Sequence, residues 1–425
     1  MPVISGRLRP ALGLRDATAI GLGAIIGGGI FVVTGIVAGL AGAGLIVSIL
    51  IAASISFLTA RSYAVLTVWR PAEGSVYTYA RLLLAPFAGF AAGWMWIVSN
   101  IFSGAAVALG FAHYLAIVLP IGDPRWTAVA LIAGFTALNF RGIEHSAGVN
   151  TILVLIKVVI LIVFIAAGFV FVRPEHFVPF FRSAKGVWSG AFFIFFAFSG
   201  FARIAVLGEE VRTPEKTVPR AIFLALGLST LLYVGVGAVA VGLVGGGELA
   251  RSASPLATAA KAVPLPGLAG AITLGGLVAT ASVLLTSILG VSRMAFAMAR
   301  EGDLPRRFGV LHTRFRTPSF SVLAAGCTVA ATAAFVPLDH AVAVSTLATL
   351  LNYALANAAA VKIPGRNARR MKIVPILGGL ACLGLLAFVS VGELAVGAGF
   401  LLTGVAIFLM NRRRRSSCDS NDLTG

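Results

Sequence analysis

The chain has 425 residues, of which 59% are hydrophobic and only 11% are charged. Soluble globular proteins carry about 25% charged residues, and a soluble fold of this length could not keep so much apolar surface away from water. The composition therefore excludes a soluble enzyme, a disordered protein and a disulfide scaffold. It predicts an all-α, polytopic membrane protein.

The formal net charge of +18 comes from Lys and Arg residues in short segments between apolar runs. Because the sequence contains no basic, aromatic-rich domain, nucleic-acid binding is disfavoured. Contact with anionic lipid headgroups at the cytoplasmic face explains the charge better.

Twelve apolar segments are candidates for membrane-spanning helices, each of which needs about 20 apolar residues. They lie approximately at residues 16–40, 44–69, 86–119, 126–140, 149–172, 187–211, 217–245, 267–299, 319–336, 341–361, 373–391 and 394–411. The connections between them are too short for a soluble domain. We therefore expect one transmembrane domain over residues 1–425, in which residues 412–425 form a cytoplasmic tail.

The distribution of positive charge predicts the orientation of the chain. If the N-terminus lies inside, most of the 33 Lys and Arg residues fall on the inner side of the membrane. Cytoplasmic segments of membrane proteins carry such an excess. We therefore expect a multi-pass protein of the plasma membrane with both termini in the cytoplasm.

Two of the predicted spans contain interruptions that a simple membrane anchor would not need. Gly27, Gly28 and Gly29 lie near the middle of the first span, and each glycine costs about 1 kcal/mol of helix stability relative to alanine. Ser199 and Gly200 lie near the middle of the sixth span. Close helix packing explains either site alone, but interruptions at matching positions of two halves indicate the midplane site of a transporter.

The interruptions predict a binding chemistry that uses the backbone. Unwound N–H and C=O groups inside a membrane are costly unless something binds them. The N–H groups of Gly28 and Gly29, at the start of the second half-helix, suit a carboxylate. Free carbonyls beside the breaks suit an ammonium group, so an α-amino acid matches both ends. The carbonyls expected in this role are those of Ala24, Ile25, Phe196 and Ser199.

Four stretches of the chain are specific enough to compare with a known family. They are GAIIGGGIF at 23–31, PAEGSVYTYA at 71–80, FFAFSGFARIAVLGEEVRTPEKTVPRAI at 195–222 and SRMAFAMAREGDLPRRFGVLHTRFRTPS at 292–319. On these stretches the chain resembles the amino acid–polyamine–organocation (APC) transporter superfamily, over essentially its whole length.

The resemblance implies secondary transport of amino acids or related amines by alternating access. It also implies the LeuT-type fold, in which inverted repeats of five helices at 16–172 and 187–361 precede two further helices at 373–411. Two residues of this chain differ from the family pattern at positions that concern the internal gate and the substrate. Val65 replaces the acidic residue of a YAEL-like stretch, and Ala202 stands where several relatives that handle cationic or exchanged substrates have Asp or Glu.

Residues around the two interruptions are expected to line the substrate site. They are Ala24, Ile25, Gly27, Gly28, Gly29, Phe196, Phe198, Ser199, Gly200 and Ala202. Ser99, Asn100 and Ser103 add polar groups in the third span. These three residues either line the same cavity or form hydrogen bonds between helices.

Phe201, Arg203 and Glu209 are candidate gating residues beside the sixth-span interruption. Phe201 could close over the substrate together with Phe196 and Phe198, although ordinary packing is a strong alternative in a chain with 29 Phe residues. Arg203 could pair with Glu209 in an internal gate or contact the substrate on release. A structural ion pair or a contact with lipid headgroups is the alternative.

Lys157 lies inside the predicted fifth span, with apolar residues on both sides. A charge at this depth is costly, and snorkelling to an interface is the structural alternative. Burial disfavours a charged amine, so Lys157 could lose its proton and act as the proton-coupling group. The resemblance to proton-coupled relatives implies that its ammonium ties carbonyls near Gly23 and Ile26 to hydroxyls of the eighth span. The hydroxyl candidates are Thr286 and Ser287, with Ser282 as a further option.

The sequence thus predicts a proton-coupled symporter of small neutral L-amino acids, and not an enzyme. An exchanger or uniporter is the alternative within the transporter class, and a membrane-embedded amino acid sensor is the alternative outside it. The sequence has no metal-ligand spacing and no phosphate loop, so we expect no cofactor. The expected partners are the amino acid, protons and membrane lipids, without nucleic acid or a soluble protein.

Overall fold

The computed structural model describes residues 12–70, 76–120, 122–142, 147–206, 211–364 and 369–421. Sixteen α-helices form this part of the chain, and each predicted apolar segment overlaps at least one of them. In chain order they are α1 Leu14–Ile25, α2 Gly28–Ala41, α3 Leu45–Trp69, α4 Val76–Leu83, α5 Pro86–Val118, α6 Pro124–Phe140, α7 Ala147–Phe169, α8 Ala184–Phe198, α9 Ala202–Val206, α10 Pro214–Arg251, α11 Pro255–Lys261, α12 Leu268–Arg300, α13 Ser319–Phe335, α14 Leu338–Val361, α15 Arg369–Leu385 and α16 Val391–Asn421.

Eight helical stretches among the described residues are long and apolar enough to cross a membrane. They are Gly28–Trp69, Pro86–Val118, Ile152–Phe169, Ala184–Ala205, Pro214–Arg251, Leu268–Arg300, Leu338–Val361 and Val391–Asn411. Two further apolar helices, Ser319–Phe335 and Lys372–Phe388, are shorter. The chain is therefore a polytopic, helical membrane protein, as its composition predicts.

Local sequence explains where several helices begin. Pro86, Pro124 and Pro214 occupy the first position of α5, α6 and α10, where proline loses no intrahelical hydrogen bond. The side chain of Asp123 accepts a hydrogen bond from the backbone N–H of Arg125 at 2.9 Å and caps α6. These signals are local, because each of them acts on the first turn of its own helix.

The long helix α10 differs from its predicted span of 217–245. It continues to Arg251 across a kink at Gly245, whose φ of 75° lies in the left-handed region. Glycine adopts this conformation without steric cost. The helix therefore changes direction at Gly245 instead of ending there.

Small residues allow the central helices to approach closely. Helix α5 packs along α12 and α14, and both α2 and α3 pack against α8 and α10. A β-carbon on Gly93 of α5 would lie 2.8 Å from the sulfur of Met298, and one on Gly190 of α8 would lie 2.6 Å from the hydroxyl of Ser48. Such close contacts are typical of membrane helices, which gain stability from packing rather than from the hydrophobic effect.

The two interruptions predicted from the sequence are present. Helices α1 and α2 are separated at Ile26 and Gly27, and Gly27 is extended with φ −95° and ψ −156°. A 3₁₀ segment at Ser199–Phe201 separates α8 from α9. Both breaks lie in the buried centre of the bundle, where they frame the candidate site.

Candidate functional site

The two breaks meet main chain to main chain. A β-carbon built on Gly200 would overlap the carbonyl group of Ala24, and one built on Gly29 would lie 2.6 Å from Cα of Ala197. A larger residue at Gly29 or Gly200 would push the two broken helices apart. The glycines are therefore required by this close approach, as well as by the break itself.

Two tyrosine hydroxyls bind carbonyl groups that the breaks release. The hydroxyl of Tyr233 in α10 donates to the carbonyl of Ile25 at 2.6 Å and lies 3.2 Å from the carbonyl of Ala197. The hydroxyl of Tyr353 in α14 donates to the carbonyl of Ser199 at 2.6 Å. The tyrosines therefore hold the unwound backbone between α10 and α14.

Three of the four carbonyls predicted to bind the ammonium group already have a side-chain donor. The carbonyls of Ile25 and Ser199 already accept hydrogen bonds from tyrosines, and the carbonyl of Phe196 accepts one from the hydroxyl of Ser199 at 2.9 Å. The physical reason is that unwound carbonyls inside a membrane need a partner even when no ligand is bound. Of the four predicted carbonyls, that of Ala24 lies beside Gly200 without such a side-chain partner among the described residues.

A cavity of about 90 Å³ lies beside the two breaks. One water molecule needs about 10–15 Å³ of such space, so the cavity can hold a small solute. Its walls come from the breaks and from helices α5, α12 and α14. The lining residues are Ala24, Ile25, Gly27, Gly28, Gly29, Trp96, Ser99, Asn100, Ser103, Val107, Phe196, Ala197, Ser199, Gly200, Ala202, Arg203, Val283, Thr349, Asn352 and Tyr353.

The start of α2 presents backbone donors to the cavity. Gly28 and Gly29 occupy the first turn of α2, and the residue before them, Gly27, has no side chain to cap it. First-turn N–H groups have no partner within their own helix, and they lie at the positive end of its dipole. This part of the cavity wall is therefore suited to a carboxylate, as the glycine run predicts.

The wall opposite the breaks carries hydroxyl groups from α5 and α14. The hydroxyls of Ser99 and Thr349 lie 2.6 Å apart, and the side-chain amide of Asn352 donates to the carbonyl of Ala92 at 2.8 Å. Ser99 therefore both lines the cavity and joins two helices. The sequence reading missed Thr349, although it lies one helical turn before Tyr353 and so on the same face of α14.

Three other lining residues, Val107, Ala197 and Val283, were also missed by the sequence reading. They are small or aliphatic residues in apolar helices, so no signal in the sequence distinguishes them from core residues. Their side chains are apolar and give this part of the wall no hydrogen-bonding group.

The three phenylalanines beside the sixth-span break have different positions. Phe196 lines the cavity, as predicted. Phe198 does not: it is fully buried and packs against Tyr233, with ring centroids 5.2 Å apart. Phe201 is also fully buried outside the cavity wall, between Tyr63 at 5.6 Å and Tyr353 at 5.2 Å. Helix rotation decides this difference, because successive residues of a helix point in different directions.

Lys157 is 1% exposed and connects two helices. Its Nζ lies 3.4 Å from the carbonyl oxygen of Gly23 in α1 and 3.4 Å from the hydroxyl of Ser282 in α12. The snorkelling alternative is therefore wrong, since the ammonium stays inside the bundle. The contact on α1 is the carbonyl of Gly23 rather than that of Ile26.

The hydroxyl partners of Lys157 also differ from the first choices. Thr286 instead accepts a hydrogen bond from Nη1 of Arg203 at 2.7 Å. The hydroxyl of Ser287 is buried and has no hydrogen-bond partner among the described residues. All three candidates lie on α12, and only packing against α7 decides which one faces Lys157.

Arg203 lines the cavity from α9. Its predicted partner Glu209 lies outside the described residues. No ion pair joins Arg203 to an acidic residue in the part of the chain that the structure describes. The guanidinium therefore faces the cavity, and the hydroxyl of Thr286 is its hydrogen-bond partner among the described residues.

A second polar cluster joins α4 to the segment after α12. Nη1 of Arg81 lies 2.7 Å from Oδ2 of Asp303, and the hydroxyl of Tyr77 donates to the same oxygen at 2.7 Å. Burial, together with the hydrogen bond to the Asp303 carboxylate, raises the pKa of Tyr77 above its usual value. Asp303 is 4% exposed, so the cluster is a buried link between distant parts of the sequence.

Comparison with known proteins places the chain in a family. A model of the family described as amino acid permease matches residues 12–413. An uncharacterized transporter of Mycobacterium tuberculosis is 38% identical over 99% of this chain and 96% of the relative. A branched-chain amino acid permease of Bacillus subtilis is 32% identical over 96% of this chain and 94% of the relative.

A further relative, the vacuolar cationic amino acid transporter 2 of Arabidopsis thaliana, is 31% identical over 82% of this chain and 59% of the relative. The names of these relatives differ in the amino acids that they specify, while all of them are transporters. Since the family model spans almost the whole chain, the protein belongs to the amino acid permease family of the APC superfamily and is a transporter rather than an enzyme.

Proposed function

We propose that the protein is a secondary active, proton-coupled symporter of small neutral L-amino acids that works by alternating access. The observation that carries this proposal is the cavity at the two broken helices, where Gly28 and Gly29 present first-turn backbone donors. The branched-chain amino acid permease among its relatives supports an amino acid as substrate.

The substrate would bind with its carboxylate on the N–H groups of Gly28 and Gly29. Its ammonium group would lie toward the carbonyl of Ala24 and the hydroxyl groups of the opposite wall. Its side chain would contact Val107 and Val283, whose apolar surfaces suit a neutral aliphatic group. The cavity volume of about 90 Å³ favours a small substrate.

The proposed architecture is the LeuT-type fold. Helices α1–α7 would provide the five spans of one repeat and α8–α14 the five spans of the other, with α15 and α16 as the last two helices. The breaks at Gly27 and Gly200 would then fall in the first span of each repeat, as expected for repeats that share a midplane site. We place both termini in the cytoplasm, where the basic end of α16 would meet anionic headgroups of the plasma membrane.

Lys157 is the proposed proton-coupling group. In its charged form the ammonium holds α1 to α12 through Gly23 and Ser282, because hydrogen bonds from a charged donor are about twice as strong as neutral ones. When one proton leaves, the neutral amine binds the carbonyl of Gly23 less strongly. Helix α1 can then move relative to α12, which would open the cavity to the cytoplasm. Phe201, Arg203 and Glu209 would form part of the barrier on that path.

Uptake into proteoliposomes tests the proposal. Radiolabelled L-leucine and L-alanine would be offered under an imposed pH gradient and, separately, under a sodium gradient. We expect accumulation with the pH gradient alone, and loss of that dependence in Lys157→Ala. Lys216→Ala removes an exposed lysine at the start of α10 and should behave like the wild type.

Three results would contradict parts of the proposal. Accumulation driven by sodium, without a response to pH, would exclude proton coupling. Counterflow without net accumulation would indicate an exchanger or a uniporter. Binding without any counterflow would indicate a sensor.

A further inference from the structure

Among the residues that the structure describes, no acidic side chain forms an ion pair with Arg203. Its guanidinium carries five N–H donors, and Thr286 is the one hydrogen-bond acceptor that it reaches among the described residues. Arg81, by contrast, forms ion pairs with Asp303 at 2.7 Å and Glu301 at 3.8 Å. Arg203 therefore has donors left for a group inside the cavity.

The surroundings of Arg203 are also positively charged. Lys157 contacts Ser282, which lies one helical turn before Thr286 on α12, so two cations meet the same helix close to the cavity. No Asp or Glu side chain is found among the described residues that line the cavity. The ion pairs of the described residues lie elsewhere in the chain.

An unpaired cation inside a membrane protein is costly, and an anionic partner recovers part of this cost. A carboxylate is the best match for a guanidinium, because the two groups can form parallel hydrogen bonds. A ligand with a cationic side chain would instead add a third positive charge to the same region. The geometry therefore favours a ligand with an anionic side chain and disfavours one with a cationic side chain.

We propose that Arg203 is a specificity-determining residue, which binds the side-chain carboxylate of aspartate or glutamate and rejects amino acids with a cationic side chain. The substrate class then extends from neutral to acidic amino acids. This inference rests on the proposed function, in which the α-carboxylate binds to Gly28 and Gly29. The two carboxylates of the ligand would lie at different parts of the cavity wall.

Ligand-dependent thermal stabilisation of the purified full-length protein tests the inference. L-glutamate, L-leucine and L-lysine would be titrated against the wild type, Arg203→Gln and Arg203→Lys. We expect the wild type to bind glutamate and leucine but not lysine. Arg203→Gln should weaken glutamate binding by about tenfold or more, the usual value of a charged hydrogen bond, and should change leucine binding by less than about threefold.

Two further variants complete the design. Arg203→Lys keeps the charge and should keep the preference for glutamate over lysine. Arg212→Gln removes an exposed arginine nine residues further along the chain and should bind all three ligands like the wild type. If Arg203→Gln does not fold, the order of glutamate and lysine binding in the wild type still decides the question.

Several results would overturn the inference. Binding of leucine without glutamate by the wild type would reject it and leave the proposed function intact. An equal loss of glutamate and leucine in Arg203→Gln would mean that Arg203 binds the α-carboxylate instead. Binding of lysine as tight as that of glutamate would exclude a selection by charge. Failure of every amino acid to bind or to undergo counterflow would reject the proposed function itself.

Discussion

Gly200 lies against the carbonyl group of Ala24, so the two broken helices touch through their main chains. Neither residue has a polar side chain, yet their contact defines the edge of the cavity. The site is thus built from backbone that tertiary packing holds in place. Any side chain larger than hydrogen at Gly200 must separate the two breaks.

We expect Gly200→Ala to abolish amino acid uptake and to destabilise the protein by about 1–3 kcal/mol, the usual cost of overpacking. The added methyl group would displace the backbone of Ala24. Uptake into proteoliposomes and thermal unfolding in detergent measure the two effects. Gly227→Ala is the matched control, because a β-carbon there would meet nothing within 4 Å. Equal behaviour of the two variants would contradict the contact.

The hydroxyl of Tyr233 should be important for stability. Tyr233→Phe removes one donor to the carbonyl of Ile25, which among the described residues then keeps the backbone N–H of Gly27 at 2.7 Å. We expect a loss of about 1 kcal/mol, the usual net contribution of one hydrogen bond, measured by thermal unfolding. Thr230→Val one turn earlier removes a hydroxyl that bonds only within α10, to the carbonyl of Leu226, and should have a smaller effect. A stability of Tyr233→Phe equal to that of the wild type would show that the bond does not hold the break.

Ser282 should affect proton coupling through Lys157. Ser282→Ala removes the partner of the ammonium on α12 and, within the described part of the chain, leaves it the carbonyl of Gly23. We expect the pH dependence of uptake to shift, because the charged form of Lys157 loses a hydrogen bond that stabilises it. Initial uptake rates measured from pH 5 to 9 would test this. Ser292→Ala, also on α12, removes a hydroxyl that bonds to its own helix at Leu289, and its pH profile should match that of the wild type.

The cluster around Tyr77 should make stability depend on pH at alkaline values. Since burial raises the pKa of Tyr77, the folded chain keeps this proton above about pH 10, where the unfolded chain loses it. The contribution of protonated Tyr77 to the free energy of unfolding is therefore complete below about pH 10 and decreases as the pH rises further. We expect Tyr77→Phe to show a shallower loss of stability between pH 9 and 11, measured by thermal unfolding. Identical slopes for the wild type and the variant would contradict this assignment.

The sequence predicts local features of this protein well. Apolar runs separated by basic segments indicate the helices, and Gly27 to Gly29 mark the break between α1 and α2. Ser199 and Gly200 mark the second break in the same way. These features depend on helix propensity and on the period of apolar residues, which neighbouring residues alone determine.

Side-chain partners were harder to predict. Thr286 and Ser287 on α12 were the first candidates for Lys157, yet the structure brings Ser282 to it while Thr286 meets Arg203. Phe198 and Phe196 are two residues apart, yet only Phe196 faces the cavity. The rotation and tilt of each helix decide such contacts, and these follow from packing against neighbouring helices.

By itself, the sequence determined that this protein is a helical membrane protein with two helices broken at glycines, because composition, propensity and apolar length are properties of the chain alone. Only the tertiary structure decided that Tyr233 and Tyr353 bind the released carbonyls and that Arg203 faces the cavity without an acidic partner among the described residues. These contacts join residues far apart in sequence, and no local pattern specifies which faces of two helices meet.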